Sequence, residues 1–126
     1  MTALLAVALG GAIGSVGRYL AGIAIGQWLG TALPYGTLAV NVLGGFLMGV
    51  VAGLGAFAWQ PPAELRAFLA TGILGGFTTF STFSLEAGLM IERGDFAAAA
   101  VYILGSVVFS VGALFAGLWL VRTVAA

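Results

Sequence analysis

Four stretches of this chain, about residues 2–29, 35–59, 65–91 and 96–121, each run for at least 25 residues with almost no charge. A helix of that length reaches roughly 40 Å at ~1.5 Å per residue, enough to cross a bilayer with some tilt. Arg18 is the one charge in the first stretch, the second and fourth carry none, and the third holds Arg66 at its start and Glu86 towards its end. The connections are short and contain turn residues: Gly30, Thr31 and Pro34, then Gln60, Pro61, Pro62 and Glu64, then Glu92, Arg93, Gly94 and Asp95. Two consecutive prolines cannot continue a helix. Trp28, Trp59 and Trp119 fall near the stretch ends, where an amphipathic ring prefers to sit. The pattern predicts an all-α integral membrane protein, with residues 1–126 forming one domain of four transmembrane helices. The first stretch lacks a basic leader and reads as a span, not a signal peptide.

Composition narrows the function. Eight of 126 residues are charged, four of each sign, where a soluble domain carries about a quarter. The lipid bilayer is therefore the surrounding partner. Four arginines without a lysine cannot neutralise a phosphate backbone, so no nucleic acid is expected. With no Cys and no His, thiol chemistry and a structural zinc site are excluded. No acid–base or nucleophilic constellation and no phosphate-cradling Gly-Lys loop appears, so neither an enzyme nor an ATP-driven pump is expected.

Short loops make consecutive helices antiparallel neighbours and put both termini on one side. Arg66 and Arg122 then lie on the terminal side and Arg93 on the other. Two against one is a weak positive-inside signal. It fits ordinary, loosely specified insertion, and equally dual topology, in which copies insert both ways up and pair antiparallel. Four helices enclose little beyond their own side chains, so a lipid-shielded polar pathway points to a homodimer. Glycines at spacing four, Gly10/Gly14, Gly22/Gly26/Gly30, Gly45/Gly49/Gly53 and Gly72/Gly76, allow close helix contact.

In lipid a polar side chain needs a partner or a water path, so the polar minority carries the information. Thr37, Asn41 and Gly45 share one face of the second span. Asn41 either turns its amide to an anion pathway or ties two helices together. Tyr102, Ser106 and Ser110 form a stripe at spacing four on the fourth span, a wetted or interfacial face. Arg18 attracts anions at a water-filled entrance, binds carbonyls, or pairs with Glu86.

The third span is the unusual one. After Gly75-Gly76 come Thr78, Thr79, Ser81, Thr82 and Ser84, interleaved with Phe77, Phe80 and Phe83. Paired glycines and β-branched threonines weaken a helix, which predicts a mid-membrane break around residues 75–79. Irregular backbone at that depth is tolerated only inside protein or beside a wet cavity. A break bares carbonyls that suit a small cation and amides that suit an anion; alternatively, the Thr and Ser side chains satisfy a simple kink. Phenyl rings have electropositive edges, so Phe80 and Phe83 beside hydroxyls suit a small anion.

Tyr35-Gly36-Thr37-Leu38-Ala39-Val40-Asn41-Val42-Leu43-Gly44 resembles the second-span motif of the Fluc/CrcB fluoride channels. Gly75-Gly76-Phe77-Thr78-Thr79-Phe80-Ser81-Thr82-Phe83-Ser84-Leu85-Glu86 resembles their third-span signature, and Gly10-Gly11-Ala12-Ile13-Gly14 with Arg18-Tyr19 resembles their opening. The resemblance covers essentially the whole chain. It implies an antiparallel dual-topology homodimer in the bacterial inner membrane that passively exports fluoride through two pores. It further implies that Asn41, Phe80, Phe83, Thr79, Ser81, Thr82, Tyr102 and Ser106 serve the pore, with Arg18 near a vestibule; Ser110, next on the stripe of Tyr102 and Ser106, is expected to join them. The carbonyls of Gly75 and Thr78 from both copies would hold a structural Na+ at the dimer centre. The rival expectation is a small multidrug-type proton-coupled exporter, which needs a membrane-embedded carboxylate; Glu86 is the only candidate.

Overall fold

The computed structural model describes residues 2–57 and 59–125. Four helical spans are long and apolar enough to cross a membrane: Thr2–Leu29, Tyr35–Phe57, Ala63–Glu92 and Phe96–Ala125. Helix α1 is Thr2–Leu29 and α2 is Tyr35–Phe57. The expected reach of the second span to Trp59 includes Ala58, which lies outside the described residues; Trp59 itself is not helical. Its backbone N–H donates to Leu54 O at 2.6 Å and Gln60 Nε2 donates to Gly55 O at 2.7 Å, closing the exposed carbonyls of the α2 end.

The third span is built in pieces. Helix α3 (Ala63–Arg66) follows Pro62 and widens into a π-helical run over Ala67–Leu74. Helix α4 (Gly75–Phe77) is a single turn, and α5 (Ser81–Glu92) resumes after a gap at Thr78–Phe80. The fourth span is α6, Phe96–Ala125. The turn before it is a Schellman motif: Gly94, at φ +82°, donates its N–H to Ile91 O at 3.0 Å, and Asp95 N–H reaches Met90 O at 2.9 Å.

The break is present at mid-span, but Gly75-Gly76 does not make it. Both glycines are helical. A Cβ on Gly76 would stand 2.8 Å from Gly11 O, and one on Gly72 would stand 3.0 Å from Gly10 Cα. Gly72 and Gly76 are spent on the approach of α1, and the chain leaves the helix three residues beyond Gly75. Thr78 takes φ −89° and ψ 161°, an extended conformation that suits a β-branched residue. Its Oγ1 donates to Leu74 O at 3.0 Å, the same carbonyl that its backbone N–H reaches at 3.1 Å, so the last helical turn is sealed from within.

Helices α2 and α6 pack along most of their length, and the glycine stripes explain how. A Cβ on Gly49 would overlap Leu114 O, one on Gly117 would overlap Phe46 O, and one on Gly45 would lie 2.7 Å from Ser110 O. Backbone carbonyls cannot rotate away as side chains do. Gly45→Ala is therefore expected to destabilise the fold by about 1–3 kcal/mol. Unfolding in mixed micelles measures this, and unchanged stability would contradict the close contact. Phe83, Ala87 and Met90 of α5 bury against Ala99 and Tyr102 of α6. Outward positions such as Leu9, Val108 and Trp119 are large, apolar and exposed, as lipid-facing positions must be.

Candidate ion pathway at the broken helix

At Thr78–Phe80 the backbone ladder is interrupted and its bonds are replaced one by one. Among the described residues, no backbone bond returns from Thr79 N–H to Gly75 O, from Phe80 N–H to Gly76 O, or from Thr82 N–H to Thr78 O. The Asn41 side chain takes up the Thr79 peptide on both sides. Thr79 N–H donates to Asn41 Oδ1 at 2.8 Å, and Asn41 Nδ2 donates to Thr79 O at 2.9 Å. The primary amide thus pairs with a main-chain unit much as a neighbouring strand would. Thr79 Oγ1 accepts from Thr82 N–H at 3.1 Å and so caps the start of α5. It also stands 3.4 Å from Ser81 Oγ. Arg18 Nε donates to Gly76 O at 3.1 Å. The carbonyl contact expected of Arg18 is present, and Glu86 is bonded to Tyr102 instead.

Beside the gap lies a groove of about 350 Å³. Asn41, Thr78, Thr79, Phe80 and Phe83 form one wall, and Ser106 and Ser110 of α6 form the other, with Gly44 and Gly45 at the base. A side chain at Gly44 would overlap the Thr78 methyl, so the glycine admits the break to α2. Ser106 Oγ and Ser110 Oγ are buried and have no hydrogen-bond partner among the described residues. A buried hydroxyl without a partner costs about 1–3 kcal/mol, and water, an ion or the carbonyl one turn back along α6 can each meet these two. Phe80 is 77% exposed and Phe83 only 9%, with ring centroids 5.6 Å apart and planes tilted by 48°. Phe83 tilts in turn against Tyr102, at 5.2 Å.

A second cavity, of about 300 Å³, lies on the other side of the break. Arg18, Tyr19, Thr37, Thr79 and Thr82 are its polar lining residues. A third, of about 370 Å³, lies towards the α1–α2 turn and is lined by Tyr35, Thr37, Glu86 and Arg93 among others. Tyr102 lines none of the three. It is 2% exposed and donates its Oη to Glu86 Oε1 at 3.1 Å. Ser81 and Ser84 are exposed on the single chain and line none of these cavities either. The hydroxyl-rich segment is therefore divided. Thr78 and Thr79 face the groove, Thr79 and Thr82 face the Arg18 cavity, and Ser81 and Ser84 point away from both. Tyr102→Phe leaves Glu86 Oε1 without its donor and is expected to cost about 1 kcal/mol in a thermal unfolding titration, with no loss if the bond is idle.

Two contacts besides the Asn41–Thr79 pair escaped the reading of the residues. One is the Glu86–Tyr102 bond. Its signal was present, because the two residues lie at nearly equal distances either side of the Gly94 turn and so at one depth of a helical hairpin. The other is the use of Gly76 O by Arg18. That pairing joins segments 58 residues apart, and no local spacing encodes it.

Four spans, a broken third helix and a polar groove beside the break define a small multi-pass membrane protein. A sequence profile of the family described as CrcB-like protein, Camphor Resistance (CrcB), matches residues 5–118, and the chain belongs to that family. It is 60% identical to a fluoride-specific ion channel, FluC, of Rhodospirillum centenum over 126 residues, the full length of both chains. It is 58% identical to the FluC of Nitrobacter winogradskyi over 123 residues, 98% of each chain. It is also 50% identical to that of Caulobacter vibrioides over 125 residues, again 98% of each. These bacterial relatives and the four apolar spans make this a multi-pass protein of the bacterial inner membrane.

Proposed function

We propose that the chain is a passive, fluoride-selective channel that works as an antiparallel, dual-topology pair of copies. The observation that carries this reading is the groove. Two buried serine hydroxyls without partners face two phenyl rings across a gap in the backbone ladder, in a chain closely similar to fluoride-specific channels. Fluoride is small and strongly hydrated. Hydroxyls offer true hydrogen bonds, and ring edges offer a diffuse positive potential that a cation would find repulsive. Asn41 keeps one amide N–H beyond the bond to Thr79 O, and that N–H completes the donor set. Thr79 and Thr82 extend the polar track, Ser81 joins it only through its 3.4 Å contact with Thr79 Oγ1, and Tyr102 backs Phe83 and holds Glu86.

The second copy follows from physical cost. Lipid offers no hydrogen bonds, so an open groove with bare carbonyls and hydroxyls cannot face acyl chains. A second chain running the other way would cover Phe80 and bring two gaps together at a two-fold axis, giving two pores. The weak charge asymmetry of the loops permits both insertions.

Among the described residues, no cluster of three or more Asp, Glu, His or Cys could hold a metal ion. The oxygens that remain are main-chain ones. Gly75 O and Thr78 O are released by the break and accept no bond among the described residues. Hard carbonyl oxygens suit Na+, and two per chain are too few to enclose it, which fits a site shared by two copies. Bound there, Na+ would supply a fixed positive charge that locks the two gaps together.

The thermodynamics suit a channel. Hydrogen fluoride diffuses in as the neutral acid and ionises inside. The inside-negative potential then drives the anion out, at about 2.3 kcal/mol per charge per 100 mV. No covalent step and no coupling ion is required. Nothing favours the proton-coupled multidrug exporter: its one embedded carboxylate, Glu86, is tied to Tyr102. Fluoride-electrode and chloride-electrode recordings of efflux from loaded proteoliposomes test the reading. Rapid fluoride loss with retained chloride is expected; equal loss of both, or loss only under a proton gradient, would reject it.

A further inference from the structure

We propose that Arg18 is a positioning residue for the break, acting through its Nε–H bond to Gly76 O and not through its charge. Among the carbonyls that the break takes out of the helical ladder, Gly76 O and Thr79 O receive side-chain donors, from Arg18 and Asn41, whereas Gly75 O and Thr78 O, the candidate cation ligands, receive none among the described residues. The donor comes from α1, whose Gly10 and Gly14 bring its backbone against the third span. Side chains at those two positions would collide with the Phe68 and Ile73 carbonyls. Arg18 lies one turn beyond Gly14 on the same face, so the glycine contact aims the guanidinium at the open end of α4. There it does what the missing Phe80 amide would have done. The end of α4 is thus fixed in direction, and the two neighbouring carbonyls stay free to serve as ligands. Arg18 also lines the cavity shared with Thr37, Thr79 and Thr82.

The bond is made by Nε, and this allows the donor to be separated from the charge. In glutamine, Nε2 stands the same number of bonds from Cα as Nε does in arginine. Arg18→Gln therefore keeps a donor at the required reach and removes the cation. Arg18→Met has similar length and neither property. The link to the cation site rests on the channel reading above, whereas the order of the break itself does not.

The test is amide hydrogen exchange at Phe77 and Thr78 in lipid nanodiscs, for the wild type and both variants, together with thermal melts in NaCl and in choline chloride. The Met variant is expected to raise exchange at these two amides by about tenfold or more, because the end of α4 frays. It should also lose most of any Na+-dependent rise in melting temperature. The Gln variant should stay within about threefold of the wild type in exchange and keep that rise. Slow exchange in the Met variant would overturn the proposal outright; Gln behaving as Met does would also overturn it and assign the role of Arg18 to its charge. If the Met variant fails to fold, the Gln variant still decides, since loss of order there sinks the proposal. None of these readouts needs fluoride. A wild type that conducts no fluoride would reject the channel reading and leave this test intact.

Discussion

Asn41→Leu is expected to abolish measurable fluoride flux and to cost about 4 kcal/mol of stability. Two bonds go at once, because Thr79 loses the acceptor for its N–H and the donor to its carbonyl. Each orphaned group away from water costs about 1–3 kcal/mol. Water cannot easily replace the amide in a leucine-lined space, so the gap must shift to find other partners. That movement carries Thr79 and its cap on Thr82 with it, and with them the start of α5. Asn41→Asp offers a graded control: one carboxylate oxygen can still accept from Thr79 N–H, while the donor to Thr79 O is gone. The expected order of stability and of flux is wild type, then Asp, then Leu, read by unfolding titrations and by electrode recordings on the same preparations. A leucine variant as stable and conductive as the wild type would remove Asn41 from the account.

The second large effect concerns the rings, and here stability and transport should separate. Phe80 is 77% exposed on the single chain and contributes little to its core. Phe80→Ala should leave the fold of each copy nearly unchanged and still lower fluoride flux by roughly 100-fold, equivalent to about 2.7 kcal/mol of barrier. Phe83 packs in the core against Tyr102, so its alanine variant should also lose about 3–5 kcal/mol of stability. Phe83→Met avoids that confusion. It fills most of the space and has no ring edge, so flux should fall while the melting temperature holds. Undiminished flux in Phe80→Ala and Phe83→Met would count against ring edges as anion ligands.

Much of this architecture could be read from residues because lipid simplifies the problem. With almost no charge to spend, every polar group stands out, and the run from Thr78 to Ser84 had no apolar explanation. The Pro61-Pro62 and Gly94 boundaries followed from backbone chemistry. The exact position of the break did not. Gly75-Gly76 signals weakness in a helix considered alone, but in the fold both stay helical, and Gly76 is consumed by contact with α1. Tertiary packing overrode the local preference and moved the gap to the threonines. The π-helical run at Ala67–Leu74 left no trace in composition either, since its residues would serve equally well in an α-helix. The partners of Asn41 were likewise hidden: spacing put it on a polar face, but only the packed structure sets its amide against the Thr79 peptide.

The account stands on a hydrogen-bond gap in the third span that opens towards ions. Residue-resolved amide exchange in lipid nanodiscs probes that gap most directly, because the Phe80 N–H has no partner among the described residues. The account predicts that Phe80 exchanges within minutes at mid-membrane depth, while Gly72 before it and Ala87 after it stay protected for hours or longer. Uniform slow exchange from Thr71 to Glu86 would mean a continuous helix, and would contradict it.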